Sequence, residues 1–129
     1  MKTAIKNDGE FTILEISGYL DFENCRPIAE SIGELYAKNQ GSKVLVDLAS
    51  LEFVGSSGIS SFVKSLKIFN KMKIKPVYFG VKSEFIKLFR LFEGAEPFEI
   101  TETVDAAKSA ALARFQIWQG TRIISKETH

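Results

Sequence analysis

The residues able to take part in chemistry are few, and their surroundings say more than their number. Ser56 and Ser57 lie between two glycines in Gly55-Ser56-Ser57-Gly58, after the apolar run Leu51-Glu52-Phe53-Val54 and before a helical stripe. A helix N-terminus collects unpaired N–H groups and about half a positive charge, so a hydroxyl there can carry a phosphate without unfolding the domain. The plain alternative is a serine cap contributing about 1 kcal/mol to the helix. A serine hydrolase would need a nearby base, but the single histidine is the terminal His129, and Gly-Ser-Ser-Gly is not the Gly-x-Ser-x-Gly elbow. The lone Cys25 excludes an intramolecular disulfide and, with His129, leaves no Cys/His set for zinc. Neither Gly-x-x-x-x-Gly-Lys-Ser/Thr nor Gly-x-Gly-x-x-Gly occurs. Asp21 and Asp47 fall at strand ends with nothing in their spacing to fix a carboxylate separation, so they read as a turn residue and a strand-end charge. No metal, cofactor or catalysis is expected.

These residues must be positioned by an alternating set of strands and helices. Thr3 to Lys6 and Phe11 to Ile16 predict an opening hairpin, turned at Asn7-Asp8-Gly9 because Asp-Gly supplies positive φ. In the second strand Phe11 and Ile13 fall on one face and Thr12, Leu14 and Ile16 on the other, so both faces are expected to be partly buried. A helix carrying Ile28, Ile32, Leu35 and Tyr36 follows, ending near Lys38 to Gly41. Lys43 to Leu48 is a buried strand by its β-branched run. Ile59, Phe62, Val63, Leu66 and Phe69 then mark the stripe of a helix reaching about Met72, with Lys64, Lys67 and Lys71 on its opposite side. Lys75 to Gly80 is the next strand, and Ser83-Glu84 opens a short helix closed at Glu93-Gly94. Phe98 to Ile100 predicts a last strand, and Thr101 to Asp105 holds the cap of an Ala-rich final helix. The fold class is α/β: a small mixed, mostly parallel sheet of four to five strands. From Gln116 onward the pattern fits a strand, a docked arm or a disordered tail.

The chain has 129 residues, 45% of them hydrophobic and 26% charged, which suits one domain with a real core and a polar surface. No apolar run approaches the roughly 18 residues of a membrane span, and the start MKTAIKNDGE lacks the apolar stretch of a signal peptide, so a cytoplasmic protein without membrane insertion is expected. Net charge is +1, but Lys64 to Arg90 is basic and both flanks are acidic. That basic middle lacks the interleaved aromatic and basic residues of a nucleic-acid module, so no nucleic-acid partner is expected.

Three segments together resemble one family. Gly18-Tyr19-Leu20-Asp21 after a strand, Val44 to Phe62 (VLVDLASLEFVGSSGISSF) and Pro76 to Phe92 (PVYFGVKSEFIKLFRLF) are similar to the STAS family, the domain of bacterial anti-sigma factor antagonists and of sulfate-transporter tails. The similarity spans about residues 3 to 113, which makes 1–115 the STAS domain and 116–129 a C-terminal extension. It implies helices mainly on one side of the sheet, and a serine at Ser56 that accepts phosphate from an ATP-dependent serine kinase which is itself the anti-sigma factor. The unphosphorylated domain would bind that kinase and free a sigma factor; phosphorylation would break the complex. Where the family commonly has an acidic residue before the acceptor this chain has Gly55, which makes Ser57 the second-choice acceptor.

Around the acceptor, Asp21, Gly55, Ser57, Gly58, Lys64, Phe85 and Phe89 are the expected partner-binding residues. Phe85, Leu88, Phe89 and Phe92 form one stripe of the short helix while Ile86 and Leu91 project elsewhere, more apolar surface than one buried face needs. The Lys64, Lys67 and Lys71 stripe is either a solvated face or a guide for an acidic partner. A monomer or weak homodimer is expected. Two other functions remain open from sequence: a subunit of a lipid-transport ATPase complex or stress-sensing assembly, separable by what a pull-down recovers, and a nucleotide-binding domain using Gly55 to Gly58, separable by calorimetry with GTP and ATP.

Overall fold

The computed structural model describes residues 2–21, 23, 25–38, 43–53, 55–70, 76–95 and 97–113. Its elements run β1 (Lys2–Asp8), β2 (Phe11–Leu20), α1 (Cys25–Lys38), β3 (Lys43–Phe53), α2 (Gly55–Asn70), β4 (Val77–Phe79), α3 (Ser83–Phe92) and β5 (Glu99–Thr101). A further helix, α4, covers 104–113. The expected extension 116–129 lies outside the described residues.

The five strands lie in the order β1-β2-β3-β4-β5, with β1 antiparallel to β2 and every later pairing parallel. The opening hairpin closes on the pair Asp8 and Phe11, so its two-residue loop is Gly9-Glu10, one residue later than the Asp-Gly signal suggests. Gly9 alone carries the positive φ, +62°, as a turn with glycine at the first central position requires.

Alternation along β2 sends its apolar side chains to two separate cores. Leu14 and Ile16 join Val44, Val46, Leu48 and Leu51 of β3 under α1, α2 and α3. Phe11 and Ile13 join Leu45, Val77 and Phe79 under Ala107 and Ala111 of α4. Among the described residues three helices therefore cover one face and one covers the other. The stripe read in α2 is buried at Ile59, Phe62, Val63 and Leu66, and that of α1 at Ile32 and Leu35. The expected contributions of Ile28, Tyr36, Phe69 and Lys71 lie outside the described side chains.

The third strand is longer than its apolar run predicts, ending at Phe53 rather than Leu48. Its register with β2 slips between the pairs Glu15–Asp47 and Ser17–Ser50, so β3 holds one extra residue there. An extra residue reverses the side-chain parity, which is why Leu48 and Leu51, three apart, both reach the α1–α3 core. The Asp47 Oδ1 accepts a hydrogen bond from the Ala49 N–H at 2.9 Å and supports the bulge.

Edge-on aromatic contacts within this core tie α2 and α3 to the β4–β5 end of the sheet. Phe62 of α2 meets Phe89 of α3 at 6.3 Å, Phe89 meets Phe98 at 6.0 Å, and Phe98 meets Tyr78 of β4 at 5.7 Å between ring centres. The Arg90 guanidinium donates to Glu93 Oε2 and to the Phe98 carbonyl, both at 2.9 Å, while the same carboxylate accepts the Phe98 N–H at 3.0 Å. This network fixes the exit of α3 to the start of β5. The cap foreseen before α4 is Thr103, whose Oγ1 accepts the Ala106 N–H at 3.1 Å.

Candidate functional site

The parallel strands β2, β3 and β4 all deliver their C-terminal ends to one rim of the sheet, where α/β folds commonly place their working residues. The first turn of α2 begins on that rim. A methyl group added at Gly58 would stand 3.1 Å from the Leu20 carbonyl oxygen and 3.3 Å from the Asp21 Cα, so the helix start is seated directly on the end of β2. Asp21 and Gly58, both singled out from sequence, are thereby brought together. The Asp21 Oδ1 accepts the Glu23 N–H at 2.9 Å, which makes the turn reading correct for this residue. Asp47 holds the β3 bulge instead, so each of the two aspartates serves its own turn.

Because α2 starts at Gly55, Ser56 and Ser57 are the second and third residues of the helix, inside its first turn rather than before it. That turn contains no acidic residue of its own, so no carboxylate within it competes for the positive end of the helix dipole. The side chains of Gly55's neighbours Ser56 and Ser57, and residue Val54, lie outside the described residues.

The rim is completed by contacts that the sequence did not announce. Gly80, at φ +76°, lies against the β3 bulge so closely that an added Cβ would meet the Ala49 Cβ at 2.8 Å. Two residues on, Lys82 forms an ion pair with Glu52 near the end of β3. The helix α3 opens at Ser83, as its sequence indicates, and its N-cap Lys82 provides no side-chain cap. Tyr19, opposite Glu52 in the β2–β3 register, is 69% exposed beside this pair. Its place follows from the parity of Phe11, Ile13, Glu15, Ser17 and Tyr19, a signal readable in advance. The Glu52–Lys82 link joins residues 30 apart and has no local signature.

The expected partner surface changes at α3. Phe89 is 0% exposed and sits between Phe62 and Phe98, so it belongs to the core and not to a contact surface. Phe85 is half-buried against the same core. The residue that α3 leaves open is Leu91, 71% exposed. Of the lysines on α2, Lys64 is exposed, whereas Lys67 lies over Gly94, its Nζ 3.3 Å from where a Cβ would stand.

On the other face of the sheet a cleft of about 290 Å³ is lined by Lys2, Ala4, Glu15, Ser17, Asp47 and Ser50 among others. A hydrogen bond from Lys6 to Glu15, with the charge of Glu15 and a smaller pull from Asp47, holds the Lys6 ammonium above its usual pKa. Among the described residues no three His, Cys, Asp or Glu side chains gather in a way that would hold a metal ion. No described helix is long and apolar enough to cross a membrane.

Comparison with known proteins places this geometry. The family model of the STAS domain matches residues 2–107. An anti-sigma-B factor antagonist of Listeria monocytogenes is 26% identical over 88 residues, covering 68% of this chain and 74% of that protein. The crystal structure of an anti-sigma factor antagonist from Mycobacterium paratuberculosis superposes with a TM-score of 0.65 at 19% identity, covering 85% of this chain and 92% of the other. The phosphorylated form of the Bacillus cell fate determinant SpoIIAA superposes with a TM-score of 0.55 at 14% identity, covering 84% and 98%.

Proposed function

We propose, starting from the fact that this chain belongs to the STAS domain family, that it is an anti-sigma factor antagonist switched by phosphorylation of Ser56. The supporting observation is the first turn of α2, which carries Ser56 and Ser57 on a rim formed by Leu20, Asp21, Glu52 and Lys82. The name of the Listeria relative and the existence of a phosphorylated form of the Bacillus one are consistent with this reading.

In this account the partner is an anti-sigma factor that is also a serine kinase, meeting the antagonist in the cytoplasm. Unphosphorylated, the rim binds the kinase and the sigma factor is released. The kinase then transfers the γ-phosphoryl group of ATP: the Ser56 oxygen bonds to phosphorus, the bond from phosphorus to the bridging oxygen breaks, and the hydroxyl proton passes to a base of the kinase. The antagonist contributes no catalysis. A phosphoserine adds about −1.5 to −2 charges at the middle of a packed interface. That charge loses water without gaining a matching cation, which weakens the complex by about 3 kcal/mol or more, beyond a hundredfold. Within the domain the open N–H groups of α2 hold the same anion, so folding survives the modification.

Asp21, Ser57, Gly58, Lys64, Phe85 and Leu91 are the proposed surround of the acceptor, Lys64 guiding an acidic partner and Leu91 supplying apolar contact. The test is incubation of the full chain with the anti-sigma kinase and ATP, followed by mass-spectrometric mapping. Phosphate on Ser56, absent in Ser56→Ala, is the expected result; phosphate confined to Ser57 or to neither serine overturns the assignment.

A further inference from the structure

The outer edge of β1 has the pattern of a strand made to meet itself. Among the described residues β1 is the edge strand of the sheet, paired with β2 alone, and all seven of its residues are exposed. In a two-residue hairpin the closing pair, here Asp8 and Phe11, exchanges backbone hydrogen bonds. Alternation then turns the N–H and C=O groups of Lys6, Ala4 and Lys2 toward β2 as well. Those of Thr3, Ile5 and Asn7 point off the sheet, an open ladder with no proline to block it.

We infer that this edge pairs antiparallel with β1 of a second copy, about a two-fold axis at Ile5, joining two sheets into one. Ile5, 58% exposed, then lies opposite its own counterpart, and Thr3 faces Asn7 of the second copy. Lys2 faces the second copy's Asp8, and the reverse holds at the other end. Slipping the register one way sets Lys2 against Lys6 of the other copy; slipping it the other way sets Lys6 against Lys6. Lysines on an edge usually prevent pairing. Here Lys6 is drawn to Glu15 on its own β2 and Lys2 has an anion waiting, so the lysines select one register. Asp8 meanwhile also holds Lys108 of α4. None of these residues belongs to the α2 rim, so the inference stands apart from the phosphorylation reading.

Sedimentation velocity of the full chain alone, from about 10 μM to about 1 mM, tests it. A concentration-dependent shift from monomer to dimer is expected. Ile5→Pro, which removes an outward N–H and no bond to β2, should raise the dimer dissociation constant at least about tenfold. Lys2→Asp should do the same, and adding Asp8→Lys to it should restore dimerisation. That charge-swap pair decides the matter if Ile5→Pro melts early. A monomer throughout, or a dimer indifferent to Ile5→Pro and to Lys2→Asp, overturns the inference.

Discussion

Gly58 of α2 and Leu20 of β2 are in such close contact that a single methyl group on the glycine would stand 3.1 Å from the leucine's carbonyl oxygen. In an open helix Gly→Ala gains about 1 kcal/mol of stability. Here the obstacle is backbone at the end of a paired strand, which yields little. Gly58→Ala should therefore lower stability, by about 1 kcal/mol, read as a lower urea midpoint with unchanged slope. A stabilised variant would mean that α2 is not seated on β2 as described.

The Arg90–Glu93–Phe98 network predicts a cost at a site far from the rim. The Glu93 side chain is only 12% exposed and serves both the Arg90 guanidinium and the Phe98 N–H. Glu93→Ala should lose about 1–3 kcal/mol, because a largely buried N–H and a cation lose their shared acceptor. Arg90→Ala should cost less when Glu93 is already alanine than in the wild type, since the two changes remove one network.

Tyr78 is buried, and among the described residues its hydroxyl has no hydrogen-bond partner. Tyr78→Phe should then be neutral or raise stability by up to about 1 kcal/mol. Burial also pushes the phenol's pKa well above its usual value. As pH rises past about 10 the unfolded chain ionises this tyrosine and the folded one does not, so stability falls with pH in that range. Tyr78→Phe should flatten that loss, as followed by urea midpoints between about pH 9 and 11, where an ordinary phenol titrates.

Leu91 and Phe89, two residues apart on α3, should respond in opposite ways. Phe89→Ala should cost about 3–5 kcal/mol of folding stability, as expected for a sealed aromatic. Leu91→Ala should change stability by less than about 0.5 kcal/mol while speeding dissociation of the proposed anti-sigma kinase partner. Lys64→Glu should instead slow association in low salt, with the difference shrinking as ionic strength rises. An unchanged association rate would remove Lys64 from the partner surface.

These contrasts show where the sequence was legible. Period-two alternation in β2 sorted Phe11 and Ile13 from Leu14 and Ile16 correctly, because adjacent pleats must face opposite ways whatever surrounds them. Thr103 was readable as a cap because capping is local. The bulge at Asp47–Ser50 was not, since it exists only in the register between two strands. Glu52 with Lys82 and Gly80 with Ala49 are likewise products of topology. The difference between Phe89 and Leu91 could be read from α3 itself. At helical spacing Phe89 shares the stripe of Phe85, Leu88 and Phe92, whereas Leu91 falls between Glu84 and Lys87 on the polar side, so assigning Phe89 to the partner surface goes against that stripe.

In the proposed switch, charge at one hydroxyl of α2 decides whether a partner stays bound. Calorimetric titration of the anti-sigma kinase with the wild-type chain, Ser56→Ala and Ser56→Asp measures this most directly. The expected result is near-equal affinity for wild type and Ser56→Ala, and affinity at least about a hundredfold weaker for a well-folded Ser56→Asp. Equal binding by all three would contradict it.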